Sequence, residues 1–143
     1  MHRLDLDDGA TRVRLEFAGP LAGPRPQVFR CRADTSSCGF QARLDRVKIL
    51  PDDLDRFLAA AAEVAAGDRP EAVLSALDPE DFMIRLRRQH DAVNVEGFLS
   101  RAYTDFRGWP RRHRLDFGLR LAPEVVAAEL AAFAVGSAAA ADA

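Results

Sequence analysis

The stretch Phe82-Met83-Ile84-Arg85-Leu86-Arg87-Arg88-Gln89-His90-Asp91-Ala92-Val93-Asn94-Val95-Glu96-Gly97-Phe98-Leu99 decides the fold. Phe82, Ile84 and Leu86 alternate with Met83, Arg85 and Arg87. Val93, Val95, Gly97 and Leu99 repeat the same period of two, the spacing of a half-buried strand. Gln89-His90-Asp91-Ala92 between them has hairpin length, so the two strands pair antiparallel. Alternation of apolar and charged positions means that one sheet face is covered and the other wet.

The same pattern recurs on both sides. Val13, Leu15 and Phe17 alternate with Arg12, Arg14 and Glu16, and the Gly/Pro-rich segment from Gly19 to Pro26 reads as a loop. Phe29, Cys31 and Ala33 share one face. Beyond Asp34-Thr35-Ser36-Ser37 so do Cys38, Phe40, Ala42 and Leu44, which predicts a hairpin with a four-residue loop. Val47 and Ile49 fall out of phase with Phe40 to Leu44, so a bulge is expected near Asp45-Arg46. Pro51-Asp52-Asp53 opens a helix whose Leu54, Phe57, Leu58, Ala61 and Ala65 form a buried stripe, and Gly67 ends it. Residues 68–81 are expected to hold a short helical turn around Leu74 and Leu77. Leu115, Phe117, Leu119 and Leu121 form a last strand after the loop Arg107-Gly108-Trp109-Pro110. Pro123-Glu124 then starts a closing helix with Val126, Leu130 and Phe133 facing inward.

These elements predict an α+β domain over 1–136: an antiparallel sheet of about six strands with two helices packed on one face. An Ala-rich flexible tail is expected over 137–143. Arg12, Arg14, Arg85, Arg87 and Arg120 belong on the wet face. The strands-then-helix plan occurs twice, suggesting duplication, although no residue-level repeat accompanies it.

The chain has 143 residues, 48% of them apolar and 29% charged, a composition that suits one globular domain. Its net charge of −2 gives no general attraction to nucleic acid or anionic membrane. No apolar run reaches the roughly 18 to 20 residues of a membrane span, and Met1 to Asp8 lacks the apolar centre of a signal peptide, so a cytoplasmic protein is expected. Arginine supplies 19 of the 20 basic residues and alanine 26 positions, a bias that GC-rich codon usage produces.

No constellation names a reaction. Cys31 and Cys38 are expected as reduced thiols on the packed face of their hairpin. His2, His90 and His113 have no zinc-ligand spacing relative to them. Asp5, Asp7 and Glu16 fit three positions of a calcium loop, but Ala10 stands where that loop needs glycine, leaving a solvated acidic N-terminus as the better reading. No serine sits in a nucleophile elbow, and spacing cannot select a carboxylate pair among Asp78, Glu80, Asp81 and Glu96. The expectation is therefore a protein that is not an enzyme, with no catalytic, cofactor or metal residues.

One run, Arg101 to Arg114, is dense in arginine and aromatic residues and holds the only Trp and the only Tyr. Arg107, Trp109, Arg111 and Arg112 are candidate partner-binding residues, with Arg85 and Arg87 widening the patch. Such a set can stack on bases and hold phosphates, or anchor on an acidic protein surface. The alternative is a solvated loop whose Trp109 packs back on the sheet edge.

Over residues 50–135 the order becomes more specific. Asp53-Leu54-Asp55-Arg56-Phe57 is followed by Ala72-Val73-Leu74, Phe82-Met83-Ile84-Arg85-Leu86, Val93-Asn94-Val95-Glu96-Gly97-Phe98-Leu99 and Arg114-Leu115-Asp116-Phe117-Gly118-Leu119, then a closing helix with Leu130 and Phe133. This resembles the WapI-type bacterial immunity family and its relatives over about 60% of the chain, chiefly in hydrophobic spacing. The resemblance implies a non-catalytic cytoplasmic domain that neutralises a cognate toxin by binding the toxin's C-terminal domain. Were that toxin a nuclease with a basic site, Asp52, Asp53, Asp78, Glu80 and Asp81 would be the contacting set. The competing reading is an RNA- or nucleotide-associated module using loop 101–114.

Overall fold

The computed structural model describes residues 2–19, 21 and 23–142, with side chains as far as Ala134. Strands β1 (His2–Asp7), β2 (Thr11–Phe17), β3 (Phe29–Ser37) and β4 (Phe40–Ile49) precede helix α1 (Pro51–Ala66). Strands β5 (Glu71–Ser75), β6 (Phe82–Gln89), β7 (Ala92–Thr104) and β8 (Pro110–Leu121) precede helix α2 (Pro123–Asp142). The class is α+β, but the expected sheet of about six strands is corrected to two antiparallel four-stranded sheets, each in chain order.

Two short strands account for the difference in strand number. In β1, Leu4 and Leu6 are buried. The acidic residues between them hid that alternation: Asp5 stands opposite Arg14 and binds Arg12, whose Nε donates to it over 2.7 Å. The stretch read as a solvated N-terminus is thus a paired strand, and Arg12 holds the Asp5 carboxyl below its usual range. In β5, Ala72 and Leu74 are buried and Val73 is exposed. A five-residue strand is too short for its period to be told from a helical turn, so the turn expected around Leu74 and Leu77 is corrected to β5. Leu77 lies outside it and donates its N–H to Lys48 O.

Both sheets and both helices share one core that includes Phe17, Ile49, Phe57, Phe82 and Val126. Each half supplies four strands and a helix, and each helix packs on the other half: α1 against β5 and β6, α2 against β1. α2 also touches β7 of its own half, and the two helices pack on each other. Arg88 of β6 reinforces the exchange by donating to Val64 O and Ala65 O at the end of α1, whose last turn has no basic residue. Gly67, at φ 84°, caps the same end.

The bulge lies where the phase slip placed it, since Ala33 opposes Leu44 while Cys31 opposes Val47. The β3–β4 turn is tighter than expected. Ser37 opposes Phe40, leaving only Cys38 and Gly39 at φ 51° and 86°, a two-residue turn in which both positions need positive φ. Cys38 is therefore exposed at the tip, correcting its placement on the packed face, while Cys31 is buried and its thiol is pushed up to about 12. Seven strand positions, roughly 20 Å, separate the two thiols, beyond disulfide reach. The arginines expected on one wet face alternate with buried residues as read, but on two sheets: Arg12 and Arg14, half-buried, on the outer face of the first, and Arg85, Arg87 and Arg120 on that of the second. The tail expected over 137–143 falls on side chains outside the described residues; the backbone of α2 continues to Asp142. No described helix is long and apolar enough to cross a membrane.

Candidate functional site

Strand β6 begins at Phe82, opposite Leu99 of β7. Strands β7 and β8 run on together for five more pairs, from Ser100 and Arg114 to Thr104 and Pro110. The result is a two-stranded arm projecting past its own sheet, closed by residues 105–109. A bare ribbon of this length is marginal in water, and three local devices hold it.

The first is a clamp at its root. Arg112 donates to Asp81 Oδ1 at 3.1 Å and Ser100 Oγ at 3.3 Å, and its other nitrogen lies 3.2 Å from Glu80 Oε2. This ties the arm to the turn between β5 and β6. The second is ring packing: Tyr103 stacks on His113 at 4.3 Å, and the Arg114 guanidinium lies 4.0 Å over the Phe98 ring. The third is the loop itself. Asp105 Oδ1 accepts the N–H groups of Arg107 and Trp109 at 2.9 and 3.0 Å, and Oδ2 accepts Arg111 Nε at 3.2 Å. Those donors, the Trp109 N–H foremost and then Arg111, hold the Asp105 carboxyl below the usual carboxylate range. Gly108, at φ 78°, supplies the left-handed residue the loop requires.

So held, the arm presents apolar rings to water. Phe106 is 93% exposed and Trp109 62%, with Tyr103 also exposed. Trp109 does not pack back on the sheet edge. At the tip of the first half's hairpin, Phe40 is 69% exposed.

The six candidate residues divide into three groups. Arg107, Trp109 and Arg111 meet at the arm's end, where Arg107 lies 5.3 Å over the Phe106 ring and Arg111 is engaged by Asp105. Arg112 is consumed by the clamp. Arg85 and Arg87 share Glu96 at 3.1 and 3.8 Å on the wet face of the second sheet. Glu96 lies eight residues before the end of β7, roughly 26 Å away at about 3.3 Å per residue, so these two arginines do not extend the patch. Sequence reasoning missed Asp105 and Phe106 as site residues, although both lie inside the run it singled out. It missed Phe40 because alternation assigned that residue to the covered face.

A groove of about 720 Å³ lies elsewhere, between α1 and α2. Leu54, Leu58, Leu130 and Phe133 line it, with the Arg25–Asp55 pair at its rim. Among the described residues that line it there is no nucleophile with an adjacent base. Among the described residues no cluster of His, Cys, Asp or Glu could hold a metal ion.

Compared with known proteins, the chain matches no family model, no curated protein and no solved structure.

Proposed function

We propose that this protein acts by binding another protein through the β7–β8 arm, as a non-catalytic immunity protein that neutralises a cognate bacterial toxin domain in the cytoplasm. One observation carries the reading: a loop fixed by Asp105 holds Phe106 and Trp109 in water beside Arg107. Exposing large rings costs solvation unless a partner covers them, and Trp, Tyr and Arg are the residues that dominate interface energetics. Fixing them beforehand lowers the ordering cost of association. The resemblance to the immunity family supplies the class of partner.

The arm's rings also suit base stacking, which is what favours the RNA reading. Against it, Arg111 and Arg112 are engaged by carboxylates, and the chain carries a net charge of −2.

The test expresses the neighbouring toxin gene with and without this protein, then purifies the pair. Growth rescue and a stable complex are expected, with both lost in a Phe106→Ala, Trp109→Ala double variant. No rescue and no complex, together with salt-sensitive RNA binding lost in Trp109→Ala, would transfer the function to nucleic acid.

A further inference from the structure

We infer that an extended acidic segment of the protein partner adds to the free edge of β4 as a further strand, beside the root of the arm. This rests on the protein-binding reading above and specifies the partner's chemistry.

Ser37 and Phe40 flank a two-residue turn and so exchange both backbone bonds. Phe40, Ala42 and Leu44 therefore direct their N–H and C=O groups to β3. Those of Gln41 and Arg43 point outward, at an edge that no other strand pairs with among the described residues. Farther along the same edge the chain itself makes such a contact, Leu77 N–H to Lys48 O at 2.8 Å.

Beside this edge lies a cleft of about 390 Å³ whose wall includes Arg43, Arg46 and Arg101. It shares Arg43, Leu44, Ser100 and Arg101 with a second of about 280 Å³, which continues to Phe40 and His113. The two carboxylates in the first cleft each have an arginine partner that they share, Asp45 sharing Arg32 with Glu16 and Asp81 sharing Arg112 with Asp78 and Glu80. Arg43, Arg46 and Arg101 make no ion pair among the described residues, and Arg43 stands opposite Asp34 in the ladder without bonding to it. The cleft thus offers three guanidinium groups that have no ion-pair partner among the described residues, beside backbone groups spaced for a strand. Phosphates would satisfy the arginines alone, whereas an acidic peptide satisfies both features, carboxylates on the guanidinium groups and main chain on the edge.

The experiment uses the full chain and fluorescence anisotropy. Its probes are a labelled alternating Glu-Val peptide, the same peptide N-methylated on alternate amides, a Lys-Val peptide and a single-stranded RNA, each at low and high salt. The Glu-Val peptide is expected to bind, more weakly at high salt, and to lose about tenfold or more in affinity in Arg43→Glu and in Arg101→Glu. N-methylation, which blocks strand pairing and keeps the charge, and Gln41→Pro, which removes an outward N–H, should each weaken it comparably. No binding of the Glu-Val peptide, or binding indifferent to Arg43→Glu or to N-methylation, overturns the inference, as does tighter RNA binding through the same arginines. The toxin complex separates the two claims. If it survives both arginine reversals but is lost in Trp109→Ala, this inference fails and the protein-binding reading stands; if it survives all three, both fail.

Discussion

The two hairpins that end the two halves of the chain, β3–β4 and β7–β8, share a place in the plan and differ in what they do. The first stops where its neighbour stops: Ser37 still opposes Thr11 of β2, and a two-residue turn closes it. The second outruns β6 by five pairs and closes through a loop built on Asp105. Several charges of the first half are paired across its sheet, Asp5 with Arg12, Glu16 with Arg14 and Asp45 with Arg32. The second half pairs Arg85 and Arg87 with Glu96 in the same way, yet its arm carries rings into water. The difference teaches that the repeated plan builds the scaffold, and that candidate function resides where one repeat departs from it.

The comparison breaks first at Gly97, which holds the arm's strands to the core. A Cβ there would meet Met83 O at 2.0 Å and the Phe117 ring at 2.8 Å. Gly97→Ala is expected to destabilise the fold by about 3 kcal/mol or more in urea titration. Gly118, opposite Glu96 with open space around it, should tolerate alanine with a change of about 0.5 kcal/mol or less. Equal effects at the two glycines would refute the tight approach of β6, β7 and β8.

The exchange of helices between halves is probed next. Arg88→Ala removes the donor that β6 supplies to the end of α1 and should cost about 1 kcal/mol. Faster amide exchange near Gly67 should accompany it. A loss confined to β6, with α1 unaffected, would show the exchange to be weaker than described.

Smaller still are the changes confined to the arm. Arg112→Ala opens the clamp, so amide exchange should quicken over 100–114 while the thermal midpoint moves little. Lowering the pH also acts on the loop. Asp105 has a folded pKa held below its unfolded value, so its contribution is complete above the unfolded value and is lost as pH falls through the folded one. Trp109 fluorescence should therefore shift below about pH 4, and Asp105→Asn should remove that transition. A pH response retained in Asp105→Asn would assign it to another carboxylate.

Much of this fold was legible from alternation alone. The period of β2, β6, β7 and β8, the bulge at Asp45-Arg46 and both helix starts at prolines follow from local residue pattern. β1 and β5 did not, because an acidic stretch concealed two buried leucines in one and the other is only five residues long. The split into two sheets could not be read either, since it depends on which strands pair across the two halves, and local alternation carries no partner. At the candidate site the run Arg101 to Arg114 was conspicuous by composition. Which of its arginines are engaged was not, because Arg112 finds its partners some thirty residues earlier in the chain.

The central claim is that the arm's rings are the anchors of a protein interface. Its direct test is calorimetric titration of the cognate toxin domain with wild-type protein and with the Phe106→Ala, Trp109→Ala double variant, each shown to unfold at the same temperature. The account predicts a loss of about 2 kcal/mol or more, roughly thirtyfold in Kd. Equal affinity for both proteins would contradict it.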